Sequence, residues 1–569
     1  MKKIAFLFGI IVIMCTLCCT AAFAVTNGII RVGLYYNGSS TFPALLAANL
    51  ENYSGTGSGY SFGYYDSDRA FHVVAQTTQS KITMCEDVNL YVNSASTYTD
   101  TANGGSAIGC FHLRLSKTYS DFASAFSGAE ALKSTYGTSF PAYKSGVYYV
   151  LVGSYTSSSD ASAALSSSGL DASVDGGSGD TVTVIATGTT DILFEYDCGG
   201  ESYLAVEPIL VSASVAPQTW FKGYRYYGGF EYRRITGGAL QVINVLSLED
   251  YVKGVVVYEM SASWPEEALK AQSVCARSYA MCRTKHNALG FDVCATTDCQ
   301  VYRGASASTA ASDACVDATA GQCIYYNGNI AETVFFSSDG GATESAVNVW
   351  GSSVGCLIGT IDTNEDALLN YGVTIPNYSY SASYTPIVLG ALLTSKGYTI
   401  GSVSRISVTP TATGNIGSST FYDSSGSSVT VSSTKARSVF STRSQRFMWS
   451  SDSVSPASSG GIYVNNSSTA LPSLSSAYTI SGSGTVAQYG NDTACVVTSS
   501  GIETIGGTTA AASSFPTTTY VVTGSTFTLS GKGSGHNVGL SQYGAYAMAK
   551  AGKTYSDILH YYYTDVTIG

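Results

Sequence analysis

Glu259 follows the apolar run Val255-Val-Val-Tyr258 and precedes Met260. A carboxylate among such neighbours loses water, and desolvation disfavours its charged form, which raises its pKa. A carboxyl group that keeps its proton near neutral pH can serve as a general acid. Two plainer roles stay open for it: capping the nearby helix, or pairing with Arg277. A second group of reactive types is His286, Cys294, Asp298 and Cys299, which fall within fourteen residues. Cysteine thiolates and imidazoles are zinc ligands, and a carboxylate can join them. The rivals are a Cys294–Cys299 disulfide or two buried thiols.

These residues need elements to hold them. Ser263-Trp-Pro-Glu266 reads as a helix start, with Ser263 capping the first amides, Pro265 in the first turn and Glu266 closing a capping box. The pattern predicts a helix over 264–283. Ala268, Ala271, Cys275, Tyr279 and Cys282 recur at helical spacing and form its buried stripe. Upstream, residues 25–105 alternate apolar and polar positions between glycines and predict short strands at Ile29 to Tyr36, Phe71 to Thr77 and Val88 to Val92. Residues 106–177 predict strand, helix, strand, helix: a strand at His112, a helix over Tyr119 to Tyr136, a strand from Gly146 to Tyr155 and an Ala-rich helix from Ser159 to Leu165. Residues 178–450 read as strands around one strong helix. A Ser/Thr/Gly-rich insertion or appendage occupies about 451–525, and strand, glycine loop and helix return to the end. The expected class is α+β: a β-rich main domain over 178–569 with a few helices and a groove, preceded by a small α+β module.

The 569 residues allow several domains. Charged residues are 12% of the chain, about half the usual share, and apolar residues are 45%. Such a chain folds, because sparse charge and abundant apolar surface oppose disorder. The net charge of −11 gains nothing from counterion release on a polyanion, which excludes nucleic acid as a partner. Lys2-Lys3, an apolar run and Ala22-Phe23-Ala24 predict a signal peptide over 1–24, cleaved near Ala24-Val25, with no stable membrane span afterwards. Eleven cysteines then remain, an odd number, so at least one has no intramolecular partner. Export favours oxidation, so the His286 to Cys299 group leans to a disulfide or free thiols.

Several ordered motifs together resemble the stage II sporulation protein D family (the SpoIID/LytB domain). They are Glu249-Asp250-Tyr251, Glu259-Met260, Trp264-Pro265 and Ala276-Arg277-Ser278-Tyr279. Further along come Val316 to Gly321, which looks like a strand and turn before Ile330-Ala331, and the Phe336-Ser-Ser-Asp-Gly-Gly341 loop. Thr343-Glu344 and Val349-Trp350 follow that loop. Ala436-Arg437 and Arg446-Phe447 match a later strand region, and Gly533 to Ala545 matches a closing glycine loop and helix. The chain departs from the family pattern at Asp339, where serine is usual, at Asn537, where glycine is usual, and at Tyr258, where a small residue is common. The piece Tyr148 to Leu165 resembles the second half of a SPOR domain, a family that binds peptidoglycan glycan stripped of stem peptides.

The first resemblance implies a secreted or wall-associated lytic transglycosylase. It would cleave the bond between N-acetylmuramic acid and N-acetylglucosamine with Glu259 as the catalytic acid. It implies substrate contacts at Arg277, Gln300, Tyr302, Ser337, Ser338, His536, Gln542 and Tyr543, with Arg277 equally suited to a structural ion pair. Some family members bind zinc at a His-and-Cys cluster, which here would be His286, Cys294, Asp298 and Cys299. No cofactor is required for the chemistry. The expected partners are glycan strands and a cell-wall amidase. The alternative is a non-catalytic wall protein or amidase enhancer.

Overall fold

The computed structural model describes residues 25–234, 238–452 and 515–569, together with the backbone of four short strands between 478 and 505. The leader expected over 1–24 and most of the stretch expected at about 451–525 lie outside the described residues. The fold is α+β with open sheets. It separates into two compact units, one ending at Glu332 and including the last two residues, the other running from Thr333 to Thr567. The divisions expected at 105 and 177 do not coincide with this one.

The first unit holds two large sheets. A seven-stranded sheet has Ile29–Tyr35 beside Leu240–Ser247, antiparallel, and carries the short strand Val293–Cys294 on its edge in parallel. A ten-stranded sheet interleaves strands from all three segments that the sequence appeared to separate. Ala172–Gly176, Phe111–Leu115, Val147–Tyr155 and Ser139–Lys144 lead into Ile192–Asp197 and Val182–Ala186, then Lys81–Glu86 and Ala47–Asn52. The reason is burial: Val182–Ala186 is buried along its whole length, so its backbone needs a strand on each side and finds Lys81–Glu86 and Ile192–Asp197. Helices α1 (Phe122–Tyr136) and α2 (Ser158–Ser168) follow the expected positions and are capped by Asp121 and Ser157.

Three helices cluster after the sheets: α3 (Leu248–Glu259), α4 (Glu266–Cys282) and α5 (Ala310–Asp317). The apolar stretch before Glu259 is helical, with Ser247 accepting from the Asp250 amide at its start. Helix α4 begins two residues later than expected. Pro265 occupies its N-cap with no side-chain cap, while Ser263 bonds Ser261, so neither Ser263 nor Glu266 forms the capping box. The stripe is buried as read at Ala268, Ala271 and Cys275, and nearly so at Tyr279, while Cys282 at the helix end is only half-buried. Val316-Asp317 ends helix α5 rather than forming a strand.

The second unit packs a three-stranded sheet (Ser379–Tyr384, Phe527–Lys532, Phe447–Ser451) and a four-stranded one (Ser428–Ser432, Ile416–Asp423, Val403–Pro410, Tyr520–Thr523). Its core centres on Trp449, Phe421, Phe440 and Leu389. Helices α6 (Ala346–Trp350), α7 (Pro386–Ser395), α8 (Ser433–Phe440), α9 (Gln542–Lys550) and α10 (Tyr555–Tyr562) complete it. Ala436-Arg437 is therefore helical, not a strand. Among the described residues no helix is long and apolar enough to cross a membrane.

Candidate functional site

Glu259 is the last residue of α3, half-buried, where the helix gives way to extended backbone at Met260. Its Oε1 accepts a hydrogen bond from the Val301 amide at 2.8 Å. That amide lies in a loop whose flanking side chains are bolted into the core. Gln300 Nε2 donates to the Tyr251 hydroxyl (3.1 Å) and the Ala276 carbonyl (3.2 Å). The Tyr302 hydroxyl donates to Asn244 Oδ1 (2.8 Å). Arg303 Nη1 donates to the Ala295 carbonyl (2.6 Å). Gly254 of α3 lets this loop approach, since a Cβ there would meet the Tyr302 ring at 2.5 Å.

Three expected sugar contacts therefore take other roles. Gln300 and Tyr302 are each 1% exposed, too deep for a sugar, and they position the loop that holds Glu259. Arg277 is fully buried, with Nε and Nη2 in a two-pronged pair with Glu249 (2.8 and 2.6 Å) and Nη1 on the Gln322 carbonyl. It pairs with Glu249 and not with Glu259, and this joins the start of α3 to the C-terminal part of α4. The sequence missed the half-buried aromatic and cationic groups around Tyr258. Tyr258 meets Tyr224 edge-on with ring centres 6.3 Å apart. Arg303 lies over the Phe42 ring at 4.8 Å, and Phe42 packs on Tyr35. Only the unusual Tyr258 hinted at this wall.

The cysteine cluster also assembles. One ligand atom each from His286, Cys294, Asp298 and Cys299 lies within 4.8 Å of the others. The edge strand brings Cys294 opposite Gly33, and a turn returns Cys299 to it. Hydrogen bonding from the Cys299 thiol brings Cys294 down to about 5, while Cys299 moves up. Asp298 is shared with Lys285 Nζ at 2.5 Å.

Ser337, Ser338, His536, Gln542 and Tyr543 belong to the second unit. Ser338 is fully buried and donates to Glu365 Oε2 (2.8 Å). Gln542 is buried at the start of α9, and Tyr543 packs half-buried against Leu368 and Ile375. Ser337 is half-buried and its carbonyl accepts from the Tyr543 amide. His536 lies between Phe336 and the 46%-exposed Trp350, ring centres 5.3 and 5.2 Å away. Its Nδ1 accepts from the Val538 amide, and burial, aided by Arg437, brings it down to about 4. It is a neutral hydrogen-bonding group at neutral pH, beside the exposed aromatic face of Trp350. Asn537 replaces glycine without strain of consequence, because asparagine tolerates the left-handed φ of 65°. Its side chain donates to the Asp339 carbonyl and accepts from the Gln445 amide.

Asp339 is the departure with most effect. It is fully buried beside Asp362 and Glu365, and burial and then those two carboxylates push it well above the usual range. Glu365 is pushed up to about 7, chiefly by burial. Folding then binds protons that the unfolded chain releases, so this contribution to stability is present at low pH and lost as pH rises towards and through neutrality. The slope is about 1.4 kcal/mol per pH unit for each proton bound. Asp339→Asn mimics the protonated acid and still accepts from the Gly341 amide. Thermal unfolding across about pH 5 to pH 8 should show the falling slope in the parent and a flatter one in the variant.

A family model described as stage II sporulation protein matches residues 236–326. An amidase enhancer of Bacillus subtilis (strain 168) is 34% identical over 318 residues, 56% of this chain and 40% of its own length. A protein of Brachyspira hyodysenteriae described as uncharacterized is 30% identical over 348 residues, 61% of this chain and 73% of its own. The chain belongs to the stage II sporulation protein D family. The B. subtilis stage II sporulation protein D itself is 35% identical over 133 residues, 20% of this chain and 38% of its own length. The chain thus spans 40% of the amidase enhancer it resembles.

Proposed function

We propose that this member of the stage II sporulation protein D family is an exported wall protein. It acts as a lytic transglycosylase on peptide-stripped peptidoglycan, cleaving between N-acetylmuramic acid and N-acetylglucosamine. The observation that carries this reading is Glu259: half-exposed at a helix end, fixed by the Val301 amide, and preceded by Tyr258, whose ring meets Tyr224 edge-on. Glu259 protonates the leaving glycosidic oxygen. The muramic C6 hydroxyl attacks the anomeric carbon and returns its proton to Glu259, which serves as acid and then base. No second carboxylate is needed, unlike the paired carboxylates of ordinary glycosidases. The SPOR-like reading of residues 106–177 gains support from the order strand, α1, two strands, α2, strand, and would supply affinity for stripped glycan. Incubating purified protein with peptide-free glycan strands should yield anhydro-muramic ends, each lighter by one water than a hydrolysis product. Intact strands, or hydrolysed ends, would overturn the reading.

A second reading is an amidase enhancer, favoured by the similarity to the B. subtilis protein of that name. Here the chain would bind a wall amidase, and added protein would raise amidase turnover with glycan left uncut.

The four groups at His286, Cys294, Asp298 and Cys299 fit zinc: two sulfurs, one imidazole and one carboxylate is a tetrahedral donor set. Zinc there would tie the edge strand to the loop that holds Glu259. Purified protein should carry about one zinc for this site, and Cys294→Ser should remove it. Labelling of both thiols only after reduction, with a zinc content that Cys294→Ser leaves unchanged, would instead establish a disulfide.

A further inference from the structure

The ten-stranded sheet carries a second cluster of donors, unrelated to Glu259. Asp87 follows the strand Lys81–Glu86, His112 lies on Phe111–Leu115 and Glu195 on Ile192–Asp197. None of these strands is the neighbour of another in the sheet. Yet one ligand atom from each lies within 4.8 Å of the other two, and all three residues are buried: Asp87 8% exposed, His112 1% and Glu195 0%.

The histidine reveals what the cluster lacks. His112 Nδ1 lies 2.7 Å from the Gly153 carbonyl, which can only accept, so Nδ1 carries the proton. The ring is thereby oriented with Nε2 towards Glu195 Oε2, 3.6 Å away, and Nε2 has no hydrogen-bond partner. Asp87 Oδ2 and Glu195 Oε2 have none either. A bare imidazole nitrogen facing carboxylate oxygens in a buried site calls for a proton or a metal ion between them. Were that cation a proton on Nε2, the pair would close to about 2.8 Å. Two ligands of one tetrahedral zinc sit about 3.3 Å apart, given metal–ligand bonds of about 2.0 Å. The observed separation is nearer the second.

Fixed charges point the same way. Among the described residues, the cations that face Glu86, Asp87, Asp175 and Glu195 are Lys144, Arg114 and Arg234. Lys144 Nζ takes Glu195 Oε1 at 2.5 Å and Asp175 Oδ2 at 3.2 Å, leaving Oε2 unclaimed. Asp87 Oδ2 sits where a Cβ on Gly177 would be, 1.3 Å from it, so exposed Gly177 leaves a thin cover over the site. We propose that His112 Nε2, Glu195 and Asp87 bind one divalent transition-metal ion of the zinc class, pinning three non-adjacent strands of the sheet. A histidine bonded to a carbonyl through its other nitrogen is the usual second support of a zinc ligand. Calcium and magnesium are excluded by the imidazole, since both prefer all-oxygen shells.

The test uses the full chain with Cys294→Ser and Cys299→Ser, which removes thiolate ligands from the other cluster. Stripped with chelator and titrated with cobalt(II), this protein should bind one ion per chain with visible ligand-field bands and no thiolate charge-transfer band. Zinc should displace the cobalt and raise the melting temperature. Adding His112→Gln should weaken binding at least about 100-fold. If that variant does not fold, Asp87→Asn, which keeps shape and lies outside the strands, should weaken it as well. A thiol-free protein that retains no cobalt or zinc after dialysis would overturn the proposal and leave a buried imidazolium in its place. So would a cobalt spectrum unchanged by both substitutions.

Discussion

Glu259→Gln is expected to abolish glycan cleavage while leaving the fold intact. The amide keeps the size of the carboxyl group, and its oxygen can still accept from the Val301 amide at 2.8 Å. It has no proton to give the leaving oxygen and cannot recover one from the attacking hydroxyl. A single general acid contributes roughly 10²–10⁴-fold, and here the same group serves twice. Turnover should fall by about 10³-fold or more on that scale, with anhydro products below detection. The melting temperature should hold, because a half-buried residue at a helix end carries little of the core. Equal cleavage by variant and parent would remove Glu259 from the chemistry. Cleavage by neither, with amidase stimulation by both, would favour the enhancer reading.

The largest effect on stability is expected from Glu365→Gln. The Glu365 carboxylate is a pure acceptor in the structure. Oε2 receives the Ser338 hydroxyl (2.8 Å) and the Gly340 amide (3.1 Å), while Oε1 receives the Asp339 amide (2.8 Å) and the Ser541 hydroxyl (2.7 Å). Each oxygen therefore takes one backbone N–H. Glutamine replaces one oxygen with NH₂, so whichever way it turns, a buried backbone donor faces another donor. Leaving such a group unsatisfied costs about 1–3 kcal/mol, and above about pH 7, where Glu365 is ionised, removing the charge that four donors serve adds to it. A loss of about 3–5 kcal/mol is expected, comparable to breaking a buried ion pair. Asp339→Asn next to it should cost little, since it matches the protonated acid. If instead Glu365→Gln were harmless and Asp339→Asn severe, the buried proton would reside on Glu365.

The contrast between these two neighbours shows where sequence reading stops. Asp339 was visible as a departure from a serine-rich loop, but Asp362 and Glu365 lie more than twenty residues away and carry no local motif. Only folding brings them together, and only then does burial force one proton to be shared. Likewise Gln300 and Tyr302 had the right types for sugar contacts. Their depth, which depends on how the loop crosses α3 and α4, turns them into supports for Val301.

Local patterns determined what local physics controls. The strands Ile29–Tyr35 and Phe71–Thr77, helices α1 and α2, and the buried stripe of α4 follow from side-chain periodicity, which is a property of neighbours in the chain. The ordered motifs around Glu259 were enough to indicate the family. Tertiary structure alone decided the interleaving of three segments into one ten-stranded sheet, the pairing of Arg277 with Glu249, and the meeting of Asp87, His112 and Glu195. Those outcomes depend on contacts between residues far apart in sequence. Their energies come from desolvation and charge pairing, which exist only once the chain has closed around them.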